Sequence, residues 1–324
     1  MSDDPFRACW YRWERADSRR QDMVKVWNDY VDRDPHDIEL VHQGQGIHVV
    51  RVIENEPIPA DFAGLFGEWL YNLRASLDYI IWAAAAYASG TLPPPREGVL
   101  QYPIYDDEAT WERNLYRIRD LPEHQQRRLK MMQPFASDVD ANFLGWINRL
   151  ARIDRHRTLV DGACYLAEFR PALAIEHGRQ ATLQWGTRVV RGPMTDIARV
   201  TVTPWDDDAV VRFNPRSGMD PEIDQWSVSP FWGSKRFGDR VAMMQICVEG
   251  EIAVYEYDCT VTSRRADMLT DTFREECDTR GSGKQPVRAA RPAEQWSTPV
   301  VPTLTTLERI NADAEQVRRP PHVG

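Results

Sequence analysis

The stretch from residue 62 to residue 88 constrains the fold more than any other part of the chain. Its apolar residues recur at positions 62, 66, 69, 70, 73, 77, 80, 81 and 84, the spacing of one face of an α-helix. Gly90 and the prolines at 93–95 end the pattern. The chain also has material for a sizeable core, since 42% of its 324 residues are hydrophobic and 12 are Trp.

The pattern along the chain predicts an α+β protein with a helical N-terminal half, an inserted β-hairpin and then a mainly antiparallel β-sheet region. Two β-branched runs around a Gly-bearing turn predict the hairpin at 38–53. The other predicted helices are 5–31, 109–118, 122–132, 139–167 and 264–279. The predicted strands of the second half are 181–190, 197–203, 210–213, 241–248 and 252–261.

Three regions follow from these elements. Residues 1–168 form a mainly helical domain with the hairpin, and residues 169–280 form a β-rich region that ends in a helix. Residues 281–324 are a Pro-rich linker followed by a short terminal helix.

Charge and composition exclude several classes of protein. A net charge of −9 argues against coating nucleic acid or anionic membrane with the whole surface, but leaves room for a local basic site. The longest apolar run, 79–88, is about half of the roughly 20 residues that span a bilayer, so we expect no membrane partner. The N-terminus lacks the layout of a secretory signal, which predicts a cytoplasmic protein. The five cysteines form no C-x-x-C pair, and we predict neither a metal nor a cofactor.

Arg74 and Asp78 lie four residues apart beside the apolar stripe of the central helix, at the boundary of the core. Arginine before aspartate is the less favourable order on a helix surface, so we expect both to have partners elsewhere. They form either an ion pair that ties two helices together or part of a functional site.

A second charged cluster carries four arginines, one aspartate and one histidine within nine residues. In a continuous helix Arg149, Arg152 and His156 share one face, while Asp154 and Arg157 turn towards the apolar stripe. Arginine offers a fixed fork of donors to phosphate or carboxylate, so this face suits an anionic ligand. His156 is then either a catalytic or anion-binding residue or a hydrogen-bonded structural one.

Weaker signals allow simpler interpretations. Arg127, Arg128 and Lys130 either extend the basic surface or form a solvated face, and the aspartates at 206–208 form a charged turn. His36, His42 and His48 fit no common zinc spacing and are interpreted as scattered surface residues. The aromatic residues Trp226, Phe231 and Trp232 either cap the core or form a binding loop.

Two resemblances rest on these residues. Asn72-Leu73-Arg74-Ala75-Ser76-Leu77-Asp78-Tyr79, Gln133-Pro134-Phe135 and Leu150-Ala151-Arg152-Ile153-Asp154-Arg155-His156-Arg157 resemble segments of an uncharacterised bacterial family, over roughly residues 10 to 165. Arg149 and His156, with six residues between them, also resemble the R-x(4–6)-H motif of the all-helical HEPN ribonucleases. Leu150 stands where that family commonly has a polar residue, and a hairpin interrupts the helices here.

The HEPN resemblance implies a metal-independent RNase of a defence or toxin system. His156 would exchange a proton with the attacking 2′-hydroxyl or the leaving oxygen, and Arg149 would stabilise charge on the phosphorane. Arg74 and Asp78 would position them, and RNA or another phosphate-bearing ligand would be the partner. The alternative is a non-enzymatic interaction protein in which Arg74, Asp78, Asp154 and Arg157 form a structural network and the β-rich region binds another protein.

Overall fold

The computed structural model of the chain describes residues 4–156, 162–227, 229–233 and 235–281, and shows an α+β fold. The α-helices are α1 (Arg7–Val31), α2 (Ala60–Ser89), α3 (Glu108–Asn114), α4 (Glu123–Met131), α5 (Phe143–His156), α6 (Asp224–Ser227), α7 (Phe237–Thr260) and α8 (Asp271–Gly281). The strands are β1 (His36–Gly44), β2 (Ile47–Glu54), β3 (Gly162–Phe169), β4 (Ala172–Ala174), β5 (Gln180–Trp185), β6 (Val189–Val190), β7 (Met194–Thr203), β8 (Arg212–Asn214) and β9 (Ser217–Ile223).

The long helix predicted in the centre of the N-terminal half is confirmed as α2. Its apolar face is fully buried, with Trp69, Leu73 and Leu77 each 0% exposed. The helix ends where Gly90 adopts a φ of 68° and donates its backbone N–H to the Ala86 carbonyl. Antiparallel packing of α1 along α2, with Trp27 against Phe62 and Ser76 Oγ donating to the Cys9 carbonyl, gives the first layer of the core.

The predicted hairpin is confirmed as β1 and β2, but it belongs to a larger sheet. The strand order is β1-β2-β7-β5, and every neighbouring pair is antiparallel. Smaller antiparallel sheets have the orders β6-β3-β9 and β4-β8. The antiparallel character predicted for the second half is therefore confirmed, and β7 comes from sequence about 150 residues beyond the hairpin that it joins.

Two predicted strands, 241–248 and 252–261, are wrong, because residues 237–260 form the helix α7. This helix packs against α1, α2 and α5, so it is buried on several sides and shows no single apolar stripe. Short apolar runs separated by Gly250 therefore resemble two strands and a turn in the sequence.

The helix predicted at 139–167 is also too long. α5 ends at His156, and Gly162–Phe169 form β3, which pairs with the later strand β9, Ser217–Ile223. Such distant pairing overrides local helix propensity and leaves no signal in the local pattern.

The boundary predicted between residues 168 and 169 falls within β3. Elements on its two sides share a core, because α7 packs on α1 and α2 and β7 pairs with β2. The division stays a prediction about independent folding, and the predicted linker and terminal helix lie outside the described residues. Among the helices that the structure describes, none combines the length and the apolar character that crossing a bilayer requires.

Candidate functional site

Helices α2 and α5 carry the two charged segments, and the short stretch from Tyr102 to Asp106 connects them. Arg74 and Asp78 of α2 bind the backbone of Tyr102, while the Asn148 amide of α5 is 3.5 Å from the Ile104 carbonyl. Further along α5, a guanidinium nitrogen of Arg149 lies 3.9 Å from a carboxylate oxygen of Asp106. The two segments therefore belong to one region of the molecule.

Arg74 is buried, with 4% of its surface exposed, and both of its terminal guanidinium nitrogens donate hydrogen bonds. Nη1 donates to Asp78 Oδ1 at 2.7 Å, and Nη2 donates to the Tyr102 carbonyl at 2.7 Å. Asp78 Oδ1 accepts the Tyr102 N–H at 2.9 Å. Partners outside α2 were expected for both residues, and the structure confirms them. The pair holds the backbone of Tyr102, so both side chains have a structural task.

Tyr102 extends this network into α7. Its buried hydroxyl donates to Glu251 Oε2 at 2.7 Å, and a second arginine, Arg128, lies 3.4 Å from the other carboxylate oxygen of Glu251. Burial, followed by the neighbouring Glu251 charge, raises the pKa of the Tyr102 phenol well above its ordinary value, so the group stays a donor. The network thus joins α2, α4 and α7.

Replacing Arg74 by Met is expected to lower the free energy of unfolding by about 2–3 kcal/mol, because hydrogen bonds to a charged group are lost and the Tyr102 carbonyl loses a donor. Urea denaturation of both proteins measures the loss. Arg127→Met is the control, since Arg127 is 67% exposed and pairs with the exposed Glu123. Equal stability of the Arg74→Met variant and the wild type would contradict the structural task.

The outer face of α5 carries the arginines predicted for an anionic ligand. The Arg149 guanidinium carbon lies 4.6 Å from the centroid of the Trp146 ring, and this stacking holds the guanidinium against the helix surface. Arg152 is exposed and, in the part of the chain that the structure describes, has no carboxylate within 4.0 Å. Arg149 therefore has one distant carboxylate partner, Asp106, and Arg152 keeps a positive charge with no carboxylate close to it among the described residues.

The opposite side of α5 packs against α2 through a glycine. Asp154 is half-buried, and a Cβ added at Gly67 would lie 2.6 Å from Asp154 Oδ2, closer than real Cβ contacts permit. The absence of a side chain at Gly67 thus allows the carboxylate of α5 to reach the surface of α2. Asp154 turns inwards, as the helical spacing predicted.

His156 is the last residue of α5, and its backbone lies two helical turns beyond Arg149 on the same face. The side chains of Arg155 and His156, and the whole of Arg157, lie outside the described part of the structure. Their roles stay predictions.

The three basic residues of α4 are each paired with a carboxylate. Arg127 contacts Glu123 at 2.7 Å, Lys130 contacts Glu108 at 2.7 Å and Arg128 contacts Glu251 at 3.4 Å. These carboxylates neutralise the local charge.

The remaining signals are mainly structural. Asp206 pairs with Arg179 at 2.6 Å, and the described residues contain no group of three or more metal-ligating side chains. Trp226 and Trp232 are 0% exposed and cap the core, while Phe231 is 37% exposed. The interpretation of the histidines as surface residues is wrong for His48, which is 5% exposed and stacks with His42 at 4.7 Å because the two face each other across the hairpin.

Two features of the structure were not predicted from the sequence. Asp258 of α7 accepts from His124 and Gln125, both at 2.7 Å, and from Arg280 at 2.7 Å. Burial raises the pKa of Asp258, but these hydrogen bonds outweigh it and hold the pKa below its ordinary value. The other feature is a pair of exposed tyrosines, Tyr11 and Tyr71, on the outer surface of α1 and α2. Their spacing outside the apolar stripe was the available signal.

Comparison with known proteins gives no relative. No family model matches the chain, and neither a curated protein nor a solved structure is significantly similar to it.

Proposed function

We propose that the outer face of α5 binds the phosphates of RNA and cleaves the strand, with Arg149 and Arg152 as phosphate ligands and His156 as the proton-transfer group. The observation that carries the proposal is the difference in pairing between two basic surfaces. On α4, Arg127 and Lys130 each have a carboxylate at 2.7 Å. On α5, Arg149 has its nearest carboxylate oxygen at 3.9 Å, and Arg152 has none within 4.0 Å among the described residues.

Helical geometry supports a shared ligand. Arg149, Arg152 and His156 stand at i, i+3 and i+7, and the rise of about 1.5 Å per residue puts the first and last Cα atoms about 10 Å apart along the axis. A phosphodiester between them is within reach of a long arginine side chain from one end and an imidazole from the other. The stacking of Arg149 on Trp146 restricts the arginine side chain before a ligand binds, so that binding costs less conformational entropy.

The reaction that suits these groups is transesterification within the RNA strand. The 2′-oxygen attacks phosphorus as its proton leaves, the bond to the 5′-oxygen breaks, and that oxygen takes up a proton. An imidazole can accept the first proton or give the second. Arg149 would stabilise the negative charge that accumulates on the phosphoryl oxygens.

A second candidate function, a non-enzymatic interaction protein, is favoured by the Arg74 network. Arg74 and Asp78 are committed to Tyr102, which is what a structural charge network requires. The exposed aromatic loop that this alternative would use is largely absent from the described surface, since Trp226 and Trp232 are buried.

Salt dependence of binding tests the α5 face. The probe is a labelled single-stranded RNA whose 2′-hydroxyls are methylated, so that it binds but offers no nucleophile. Arg152→Ala and Arg149→Ala are each expected to weaken binding and to reduce the slope of log K against log salt by about 0.7, the value for one phosphate contact to a single strand. Anisotropy titrations over a series of KCl concentrations give the slopes.

Arg127→Ala is the matched control, because that arginine is exposed but paired. It should leave both affinity and slope unchanged. Wild-type slopes in both α5 variants would reject the α5 face as the phosphate site.

A further inference from the structure

We infer that Tyr11, Arg12, Arg15 and Tyr71, on the adjoining outer faces of α1 and α2, form a platform on which the bases of single-stranded RNA stack. This tyrosine–arginine platform rests on the proposed function and deepens it, since it names the form of nucleic acid that reaches α5.

Exposure is the first argument. Tyr11 is 57% exposed and Tyr71 is 50% exposed, whereas Trp10, Trp27 and Trp69 of the same two helices are at most 3% exposed. The buried tryptophans therefore already supply aromatic side chains to the packing of these helices, and the rings of Tyr11 and Tyr71 remain in solvent. Large exposed rings beside basic residues are the usual construction of a surface that binds single-stranded nucleic acid.

The second argument is the position of the arginines. The Arg12 guanidinium lies 5.5 Å from the centroid of the Tyr71 ring, and its Nη1 donates to Asn72 Oδ1 at 3.2 Å. These contacts hold a cation beside the ring and fix its orientation. Arg15 lies one helical turn after Tyr11, is exposed, and has no acidic partner within the described residues.

The positive charge of the platform is the third argument, because it favours an anionic ligand. The chain as a whole carries a net charge of −9, but the platform residues contribute two positive charges and no negative one. A flat aromatic ring beside a guanidinium recognises a base and its phosphate together. Bases in a duplex are already stacked on each other, so the platform fits an unpaired strand.

The platform includes a residue of α2, the helix that packs against α5. Gly67, where α2 receives Asp154 of α5, lies one helical turn before Tyr71. Arg19 of α1 contacts Glu68 of α2 at 3.4 Å, so α1 approaches α2 at the same turn. Tyr71 therefore lies one helical turn from the contact between α2 and α5, and Arg149 and Arg152 lie on the other side of α5 from that contact.

Binding of the 2′-O-methylated single strand to the full chain tests the platform. Tyr71→Ala is expected to weaken binding by about 5- to 100-fold, the usual cost of losing one stacked base. Tyr71→Phe keeps the ring and should bind like the wild type. The slope of log K against log salt should stay unchanged in Tyr71→Ala, because stacking releases no counterions.

Tyr116→Ala is the matched control, since Tyr116 is 45% exposed with the Arg117 guanidinium 5.4 Å from its ring, but lies outside α1 and α2. Wild-type affinity in this variant supports the platform. Equal losses in Tyr71→Ala and Tyr116→Ala, or no loss in Tyr71→Ala, would overturn it.

Polyphosphate, which has phosphates but no bases, separates this inference from the proposed function. Wild-type and Tyr71→Ala proteins should bind polyphosphate equally, and the wild type should bind the RNA more tightly. If the Arg149→Ala and Arg152→Ala variants keep wild-type slopes while Tyr71→Ala loses RNA binding, the platform stands and the α5 proposal fails. If RNA and polyphosphate bind the wild type equally well while the Arg149→Ala and Arg152→Ala variants have reduced slopes, the platform fails and the α5 proposal stands.

Discussion

Replacing Arg240 by Met is expected to destabilise the protein by about 3–5 kcal/mol, the largest stability loss that the structure predicts for a single charged residue. Arg240 and Glu222 form an ion pair in which each side chain is 1% exposed. Arg240 Nη2 donates to Glu222 Oε2 at 2.8 Å, and its Nε donates to the Lys235 carbonyl at 2.8 Å. Removal of the arginine leaves a carboxylate buried between β9 and α7 without its main partner.

Urea denaturation at neutral pH measures the effect, and a double-mutant cycle identifies its cause. In the double variant Arg240→Met with Glu222→Leu both charges of the pair are removed, so most of the lost stability should return. A loss below about 1 kcal/mol in Arg240→Met would contradict a buried pair. Losses that simply add in the double variant would contradict coupling between the two side chains.

The largest expected effect on activity is at α5. His156→Ala should reduce the rate of RNA cleavage by about 10²- to 10⁴-fold, the usual contribution of a general acid or base. Arg149→Ala should reduce it by about 10²- to 10³-fold, because one donor to the developing charge is lost. Single-turnover rates with saturating protein separate these losses from weaker binding.

Tyr71→Ala provides a useful contrast under those conditions. A platform residue acts in binding, so the single-turnover rate at saturation should stay close to that of the wild type while the concentration needed to saturate rises. Arg127→Ala should match the wild type in both quantities, since its charge is already paired with Glu123.

The elements with one buried face could be predicted from the sequence. α1, α2 and the hairpin each bury one side, so their apolar residues keep the period of a helix or a strand. α7 could not be predicted this way, because several helices and β9 cover it and its period is lost. β3 could not be predicted either, since its partner β9 is distant in sequence.

Part of the site followed from the sequence in the same way. The position of Arg74 beside Leu73 and Leu77 indicated a place at the boundary of the core, and the unfavourable order of Arg74 and Asp78 indicated outside partners. Their partner is the backbone of Tyr102, whose chemistry is the same in every residue, so no side-chain motif marks it. The spacing of Tyr11 and Tyr71 outside the apolar stripes of their helices indicated exposure, but it does not show whether another element covers them.

The measurement that tests the central proposal most directly is cleavage of end-labelled single-stranded RNA by the purified protein in EDTA. His156→Ala and Arg149→Ala variants with the wild-type circular dichroism spectrum are assayed beside it. The α5 mechanism predicts cutting by the wild type and a loss of cutting in both variants. No cutting by the wild type, or equal cutting by all three proteins, would contradict it and favour the interaction-protein alternative.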